Sequence, residues 1–300
     1  MPVDFGGYAC VKLENDALAL WVTKSVGPRI IGLALQGEAN FFAQLPDVTL
    51  ECPGAGTFSL RGGHRLWYAP EDPRRTYLPD DEPVAITAIE DGLQVTQPVE
   101  AQTGIQKELT IRLPGQDARV VIDHTLHNQG QESVELAPWA ITQVKPGGVA
   151  ILPQTTVLAD EYGLLPNRHI ALWPYTPINS PHITWGDRFV FVTATMESGA
   201  LKVGFPNPAG WIAYAVEDTL FVKQAAHMAG ADYYDRGSSS ECYCNPRFLE
   251  METLGPRTYL APGASVTHRE TWRIFSSVSF QPDQDAVQTM VGELGLTAGE

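Results

Sequence analysis

The sequence predicts an all-β fold, a large antiparallel β-sandwich with a short C-terminal helix. Strand-like alternation of apolar and polar residues recurs along the 300-residue chain. The 27 Gly and 23 Pro residues are spread over the whole length, where they punctuate short strands and turns. No helical stretch lies between the strands, which argues against the βαβ units of a parallel sheet.

Five segments show the alternation most clearly, and turn-forming residues separate them. Apolar side chains share a face in the segments 109–113, 120–126, 190–192, 211–216 and 266–274. Turn-forming runs lie at 114–115, 128–130, 146–148, 206–208 and 262–263. In the last strand segment His268, Glu270 and Trp272 share one face. The pattern is typical of many short strands joined by tight turns.

One helix is predicted, near the end of the chain. Val287, Met290, Val291 and Leu294 recur at helical spacing after Pro282, and acidic residues lie in the first turn, where the helix dipole favours them. We expect this helix over about residues 283–294, covering an edge or a face of a sheet. No internal repeat, linker or charge block interrupts the chain, so residues 1–300 are predicted to form a single domain.

The composition excludes several classes of partner. A formal net charge of −15 repels nucleic-acid phosphates and anionic lipids, so we expect no nucleic acid and no membrane as a partner. No run approaches the roughly 20 apolar residues of a transmembrane helix, and the N-terminal residues lack a secretory-signal pattern. The four cysteines form neither a CxxC pair nor a disulfide framework. We expect a soluble, cytoplasmic protein, either a monomer or a homodimer.

The densest polar cluster is the string GGHRLWYAPE at residues 62–71. His64 offers a proton shuttle, Arg65 a planar set of donors, Trp67 a stacking face and Glu71 an acceptor. A sugar site needs this mixture, because hydroxyls require donors and acceptors while the C–H face of a sugar packs on an aromatic ring. In the alternative interpretation, Arg65 pairs with Glu71 and Trp67 fills the core.

A second cluster extends over residues 223–252. On a strand, Glu250 and Glu252 share a face and lie about 7 Å apart. Two carboxylates this close are costly to bury unless a cation or a proton lies between them. Apolar neighbours predict a central strand, which favours a functional pair over a solvated face. Lys223, Asp235 and Glu241 belong to the same cluster and are predicted to bind substrate.

Trp139 and Gln143 form a third candidate group. Four residues apart on a strand, they share a face and combine a stacking ring with an amide. The alternative, in which Trp139 is a core residue, stays open.

We expect neither a metal nor a cofactor. The histidines show no HxH, HxxxH or HExxH spacing for a zinc or iron site. A GxSxG elbow, a phosphate-binding Walker loop and a dinucleotide-binding GxGxxG after a strand are all missing from the sequence. Serine hydrolases, nucleotide-binding enzymes and dinucleotide-binding enzymes are therefore not indicated.

Several short motifs, in order along the chain, resemble the galactose mutarotase-like superfamily. They are VGPRIIGL followed by GEAN at 26–40, the segment 123–130 that ends in Leu-His-Asn before a turn, and the C-terminal glutamate segment 249–252 followed by LAPG at 260–263. The strings GGHRLWYAPE, PWA at 138–140 and EMETLGP at 250–256 look more closely like a bacterial branch known only as a domain of unknown function. The resemblance spans roughly residues 8–275, taken as the core of the domain.

This resemblance implies a twisted β-supersandwich and a sugar ligand. Aldose 1-epimerases of the superfamily interconvert sugar anomers with a glutamate base and a histidine acid. By position, Glu252 or Glu250 inherits the base role, and Arg65 resembles the arginine that binds the sugar. The second histidine of the family would fall near residues 138–140, where none is present. His64 is the candidate replacement acid.

Three functions follow from these predictions. A sugar isomerase of the aldose 1-epimerase type is favoured, with Glu252, His64 and Glu250 as the catalytic candidates. A sugar-binding or regulatory protein would keep the tryptophans and Arg65 without needing a titrating pair. A polysaccharide lyase or hydrolase ranks third, because the fold alone does not fix the reaction.

Overall fold

The structure is a computed structural model that describes residues 2–296, and over this range the chain forms two large antiparallel sheets. The predicted all-β antiparallel sandwich is confirmed. Two helical segments accompany the sheets, at Tyr234–Gly237 and Gln284–Leu294.

The larger sheet contains 12 of the described strands. In spatial order they are β1 (Pro2–Phe5), β2 (Tyr8–Glu14), β3 (Leu18–Thr23), β4 (Arg29–Leu35), β6 (Gly56–Ala69), β11 (Val134–Val144), β20 (Leu249–Leu254), β19 (Ser240–Cys244), β16 (Leu201–Phe205) and β13 (Ala171–Leu172), with β5 (Gln44–Cys52) paired to β6 and β21 (Thr258–Leu260) paired to β11.

The smaller sheet contains 10 of the described strands. In spatial order they are β14 (Ile183–Thr184), β15 (Phe189–Thr193), β12 (Val149–Pro153), β17 (Trp211–Val216), β18 (Thr219–Ala225), β22 (Ser265–Phe275), β10 (Arg119–Asn128), β9 (Ile105–Arg112), β8 (Gly92–Thr96) and β7 (Ala85–Ile89).

The main hydrophobic core lies between the two sheets. Ile30 and Leu66 from the larger sheet join Ile122 and Val190 from the smaller one in a single cluster, and each is at most 2% exposed. A second apolar cluster lies on the outer side of the larger sheet, where Leu45 and Phe58 pack with Trp67 and Trp139. Strand β20 has all six residues buried, because both faces of the larger sheet are covered at this point. The prediction of a central strand is therefore confirmed.

The C-terminal helix spans Gln284–Leu294, within one residue of the predicted range. Asp283 caps it by accepting hydrogen bonds from the amides of Asp285 and Ala286, and Gly295 ends it in the left-handed conformation. Its buried residues belong to the apolar cluster that includes Phe191 and Trp211, so the helix covers the outer face of the smaller sheet. No helix among the described residues is long and apolar enough to cross a membrane.

Candidate functional site

Five neighbouring strands of the larger sheet, β6, β11, β20, β19 and β16, carry most of the predicted site residues in register; Glu71, Lys223 and Asp235 lie outside them. Residues directly opposite each other in antiparallel strands point to the same face of the sheet. The outer face therefore shows three cross-strand rows, which are Gly63–Gln143–Glu250–Tyr243–Lys202, Arg65–Ile141–Glu252–Glu241–Gly204 and Trp67–Trp139–Leu254.

A cavity of about 380 Å³ lies over these rows. Five of the predicted residues line it, namely Arg65, Trp67, Glu71, Trp139 and Glu250. Residues 62–71 and 250–252, which lie far apart in the chain, thus meet at one site.

Other lining residues were not among the predicted ones. Trp173 and Tyr175 follow the short strand β13, and Tyr243, Asn245 and Lys202 come from β19, its C-terminal turn and β16. Tyr175 is 46% exposed, whereas Trp139 is 3% exposed, so the more accessible ring comes from the segment after β13. The lone lysine in the apolar strand LKVGF is the sequence signal that could have revealed Lys202.

Only one of the two carboxylate oxygens of Glu250 is hydrogen-bonded to the protein. Its Oε1 accepts hydrogen bonds from Arg65 Nη2 and Gln143 Nε2, both at 2.9 Å. Oε2 has no hydrogen-bond partner among the described residues, and the residue lines the cavity. Burial raises the pKa of Glu250, and the charge of Glu252 adds to this, while Arg65 offsets part of it. Glu250 is therefore an oriented carboxylate with one oxygen available to a ligand.

Arg65 stacks on Trp67, which lies in the adjacent cross-strand row. Its guanidinium carbon lies 4.0 Å from the centroid of the Trp67 ring. The side chain is 3% exposed, and its Nε and Nη1 atoms have no hydrogen-bond partner among the described residues. Buried N–H groups are normally satisfied, so these two unpartnered donors distinguish the site from the rest of the sheet.

Lys202 links two buried carboxylates. Its Nζ lies 2.6 Å from Glu241 Oε2 and 2.9 Å from Glu252 Oε2. Burial alone would lower the pKa of Lys202, but the two carboxylates outweigh it and hold that pKa well above its ordinary value. The ammonium also lies between two tryptophan rings, 4.8 Å from the centroid of Trp139 and 4.7 Å from that of Trp173. The cation expected near the glutamate pair is thus provided by Lys202 as well as by Arg65.

Glu241 and Asp235 form a carboxyl pair next to Lys202. Burial raises the pKa of Glu241 well above its ordinary value, and the charges of Glu252 and Asp235 add to this effect while Lys202 opposes it. Burial also raises the pKa of Asp235, whose carboxyl lies within hydrogen-bonding reach of Glu241. Two carboxyl groups hydrogen-bond only when one of them holds a proton, so the raised pKa values of Glu241 and Asp235 favour a proton shared between them.

Asp235 reaches this position from an unusual backbone. Asp235 and Arg236 both have left-handed dihedral angles, with φ of 51° and 60°, within the turn Tyr234–Gly237. A non-glycine residue in this region costs about 1–3 kcal/mol, and such residues cluster at functional sites. The strained turn directs the Asp235 carboxyl toward Glu241 and Lys202.

His64 and Lys223 lie on the opposite face from the cavity. Adjacent residues of a strand point to opposite faces, so His64 points into the core while Arg65 points to the cavity. Lys223 comes from β18 of the smaller sheet and is fully buried between the sheets. The structure therefore does not bring these two predicted residues to the same site as Glu250, and the acid role proposed for His64 has no geometric support.

The buried histidines form a directed hydrogen-bond chain. Burial lowers the pKa of His64 well below its ordinary value, lowers that of His124, and lowers that of His268 to about 3, so all three are neutral at pH 7. His124 Nδ1 donates to the carbonyl of His268 at 3.0 Å, so its Nε2 accepts from His64 Nε2 at 2.7 Å. His64 Nδ1 then accepts from the Thr142 hydroxyl at 2.9 Å.

Lys223 and Glu270 form a buried ion pair beside this chain, with Nζ and Oε1 2.9 Å apart. Burial lowers the pKa of Lys223. Burial would raise the pKa of Glu270, but Lys223 and the other polar groups around the carboxylate together outweigh it and lower that pKa. Lys223 also donates to the carbonyl oxygens of Ala140 and Met251 at 2.9 Å, and to the Thr142 hydroxyl at 3.1 Å. The ammonium thus joins the neighbouring strands β11 and β20 from behind.

His64, His124 and Glu270 also have the composition of a metal site. Their ligand atoms lie within 4.8 Å of one another, an arrangement that the sequence spacing did not reveal because the three residues lie on three strands. The protein's own hydrogen bonds already account for these atoms. Glu270 Oε2 accepts from the indole N–H of Trp272 at 2.9 Å, and Lys223 occupies the place of a cation beside Oε1. These residues therefore do not fit a metal ion.

A smaller cavity of about 280 Å³ lies elsewhere, lined in part by Asp80 and Glu100. Asp80 pairs with Arg29 at 2.9 Å, and Glu100 pairs with Lys107 at 2.5 Å. Both oxygens of Asp80 and of Glu100 are already engaged by the protein, whereas Glu250 keeps one oxygen free, so the cavity over the three cross-strand rows is the better candidate site.

Comparison with known proteins supports the fold. No family model matches the sequence, and a search of curated proteins finds no match either. Among solved structures, a galactose mutarotase-like protein from Lactobacillus casei is 11% identical, with 89% of this chain and 100% of that chain covered and a TM-score of 0.58.

Two further solved structures share this fold. A galactose mutarotase related enzyme from Lactobacillus acidophilus is 8% identical over 90% of this chain and 98% of that chain, with a TM-score of 0.53. A protein from Klebsiella pneumoniae with a provisional aldose 1-epimerase assignment is 11% identical over 98% of this chain and 85% of that chain, with a TM-score of 0.55. The chain has the galactose mutarotase-like fold; the narrower resemblance to a bacterial domain of unknown function stays a prediction.

Proposed function

We propose that the protein binds an uncharged aldose in this cavity and interconverts its anomers, with Glu250 as the general base. The observation that carries the proposal is the free Oε2 of Glu250, which faces the cavity while Oε1 is fixed by Arg65 and Gln143. A base that removes the proton of the anomeric hydroxyl needs an oriented, unpaired oxygen. Its raised pKa brings Glu250 closer to neutral operating pH, which favours proton transfer.

Glu250 fits this role better than Glu252. Glu252 is fully buried, and its Oε2 accepts from Trp139 Nε1 at 2.7 Å and from Lys202 at 2.9 Å. A carboxylate committed to two donors beneath the cavity floor is suited to holding them in place. We therefore assign the base to the first of the two glutamates that the sequence left open.

An aromatic surface and a balanced charge favour a neutral sugar. Trp173, Tyr175 and Tyr243 offer rings to the C–H face of a pyranose. The two cations that line the cavity, Arg65 and Lys202, are each paired with a carboxylate, so no excess positive charge attracts a phosphate or a uronate. The same pairing disfavours the lyase function, because a lyase must neutralise a uronate carboxylate.

A sugar-binding protein without catalysis is the second candidate. The observation that favours it is the absence of a histidine among the described residues that line the cavity. Such a protein would use Arg65 and the aromatic rings for recognition, and Glu250 would accept a hydrogen bond from a hydroxyl.

The test is the anomerisation rate of freshly dissolved α-aldoses, followed by polarimetry. We expect the wild type to accelerate the exchange of at least one neutral sugar and Glu250→Gln to lower this rate by about 10²–10⁴-fold, because the amide cannot take the proton. Sugar phosphates and uronic acids in the same panel should react poorly.

Glu197→Gln is the matched control, since Glu197 is exposed in a turn. A Glu250→Gln rate equal to that of this control would remove Glu250 from the mechanism. A wild type that quenches its tryptophan fluorescence with a sugar but accelerates no exchange would establish the binding function instead.

A further inference from the structure

We infer that Lys202 is the proton donor of this site, delivering a proton to the ring oxygen of the bound sugar and drawing on the carboxyl pair of Glu241 and Asp235 to replace it. This rests on the proposed anomerisation, which needs an acid opposite the base. His64 is on the other face of the sheet, so the acid must come from a different residue.

Lys202 is placed to reach a ligand. It lines the cavity together with Glu250, and its stem extends from β16, at the far end of the same cross-strand row. An ammonium has three protons, and Glu241 and Glu252 engage two of them at 2.6 and 2.9 Å. The third is available to an oxygen in the cavity.

Charged and aromatic groups from several elements surround the ammonium of Lys202. The groups that face it are Glu241 on β19, Glu252 on β20, Asp235 on the strained turn, Trp139 on β11, and Trp173 and Tyr175 after β13. Two tryptophan rings fix the position of the ammonium, which lets the donor act without reorganising. The positive charge of Lys202 also acts on Glu250, where it opposes the rise in pKa.

The carboxylates of Glu241 and Glu252 raise the pKa of Lys202, so Lys202 is a weaker acid than an isolated lysine and depends on the carboxyl pair as its proton source. Glu241 is fully buried against Lys202, and the carboxyl of Asp235 lies within hydrogen-bonding reach of it. When Lys202 gives a proton to the sugar, the proton held by the pair moves to the lysine nitrogen. The effective donor is then a carboxylic acid, whose proton is far easier to remove than that of an ammonium.

The step balances in both directions. Glu250 takes the proton of the anomeric hydroxyl, the bond between C1 and the ring oxygen breaks, and the electron pair stays on that oxygen, which receives the proton from Lys202. Glu241 restores the lysine and becomes a carboxylate. After the aldehyde rotates, the ring oxygen attacks the other face of C1 and every proton returns along the same route.

Two variants test this assignment. Lys202→Arg keeps the charge but cannot give up a proton, and Glu241→Gln keeps the shape but removes the shared proton. In the anomerisation assay we expect kcat to fall by about 10²–10⁴-fold for Lys202→Arg and by roughly tenfold or more for Glu241→Gln, with KM changed far less. The alkaline limb of the wild-type pH profile, where the carboxyl pair loses its proton, should disappear in Glu241→Gln.

The outcomes separate the two proposals. If the wild type and Glu241→Gln share the same kcat and the same alkaline limb, the donor assignment is overturned while anomerisation stands. If Lys202→Arg retains the wild-type kcat, the charge alone suffices and the assignment is again overturned. If the wild type accelerates no aldose, the proposed function falls first, and the donor role falls with it. Circular dichroism melts identify a variant that fails to fold, and the other variant then decides.

Discussion

The central strands of the larger sheet carry two polar clusters, one on each face. The inner cluster contains His64, His124, Lys223 and Glu270, and the outer cluster contains Arg65, Lys202, Glu250, Glu252 and Glu241. Both are buried, and both pair cations with carboxylates. They differ in how completely the protein satisfies its own polar atoms.

In the inner cluster every side-chain polar atom has a partner, and the proton on each hydrogen bond can be assigned. The outer cluster leaves buried atoms of Arg65, Gln143 and Glu252 without a partner among the described residues, and burial raises the pKa values of Glu241 and Glu250. Unsatisfied polar atoms and perturbed carboxylates are typical of a ligand site, whereas a closed network is typical of a structural role. In this sheet, a buried polar cluster therefore indicates a functional site only when some of its polar atoms lack a partner.

The largest expected effect concerns the inner ion pair. Lys223→Met leaves the Glu270 carboxylate buried without its cation, and breaking a buried pair in this way costs about 3–5 kcal/mol of folding free energy. Urea denaturation measures the loss. The double variant Lys223→Met/Glu270→Leu should recover much of it, since no charge is then stranded. Equal stability of Lys223→Met and wild type would show that the inner cluster is not structural.

The two clusters should also respond to pH with opposite signs. Burial lowers the pKa of His64 and His124 in the inner cluster, and lowers that of the adjoining His268 to about 3, so below pH 6.5 the unfolded chain takes up protons that the folded protein does not. Stability should fall as pH falls from 6.5, by about 1.4 kcal/mol per pH unit for each such histidine. Glu241 has a raised pKa, so it keeps a proton that the unfolded chain loses, and its contribution is lost as pH rises above about 4.5.

Thermal or urea unfolding between pH 4.5 and 8 measures both slopes. His268→Gln should flatten the acid side, and Glu241→Gln should remove the opposing contribution and so steepen the rise of stability with pH. Identical slopes in the wild type and both variants would mean that the two clusters do not differ in protonation.

The smallest expected effect is that of metal removal. His64, His124 and Glu270 resemble a ligand set, but each is already hydrogen-bonded or ion-paired within the protein. Dialysis against a strong chelator should leave the melting temperature unchanged. A drop of many degrees that one divalent ion reverses would show that the inner cluster binds a metal.

The fold could be predicted from the sequence because the patterns that indicate strands, turns and helices are local. Alternation along the strands, scattered turn residues and a heavily patterned last segment predicted the antiparallel sandwich and the helix at Gln284–Leu294. The rule that two close buried carboxylates need a cation or a proton anticipated a cation near Glu250 and Glu252, but not that Arg65 and Lys202 supply it. The need for a cation follows from one strand face and one physical requirement.

The rest of the site depends on which strands become neighbours, and no local signal contains this. His64 and Arg65 look like one functional pair in the string GGHRLW, but within strand β6 they must point to opposite faces. Lys202 stands 50 residues before Glu252 and meets it only because β16 and β20 flank β19. The metal-like group of His64, His124 and Glu270 was missed for the same reason.

The opposite clusters also bear on how the strands find their pairing during folding. A slip of β20 by one residue would turn Glu250 and Glu252 into the apolar core and put Leu249 and Met251 in the cavity. The slipped strand would also lose the bond from Lys223 to the Met251 carbonyl and the matches of Arg65 and Lys202 to their carboxylates. Misaligned intermediates are thus penalised on both faces at once, so the residues of the candidate site also select the correct alignment of the strands as the chain folds.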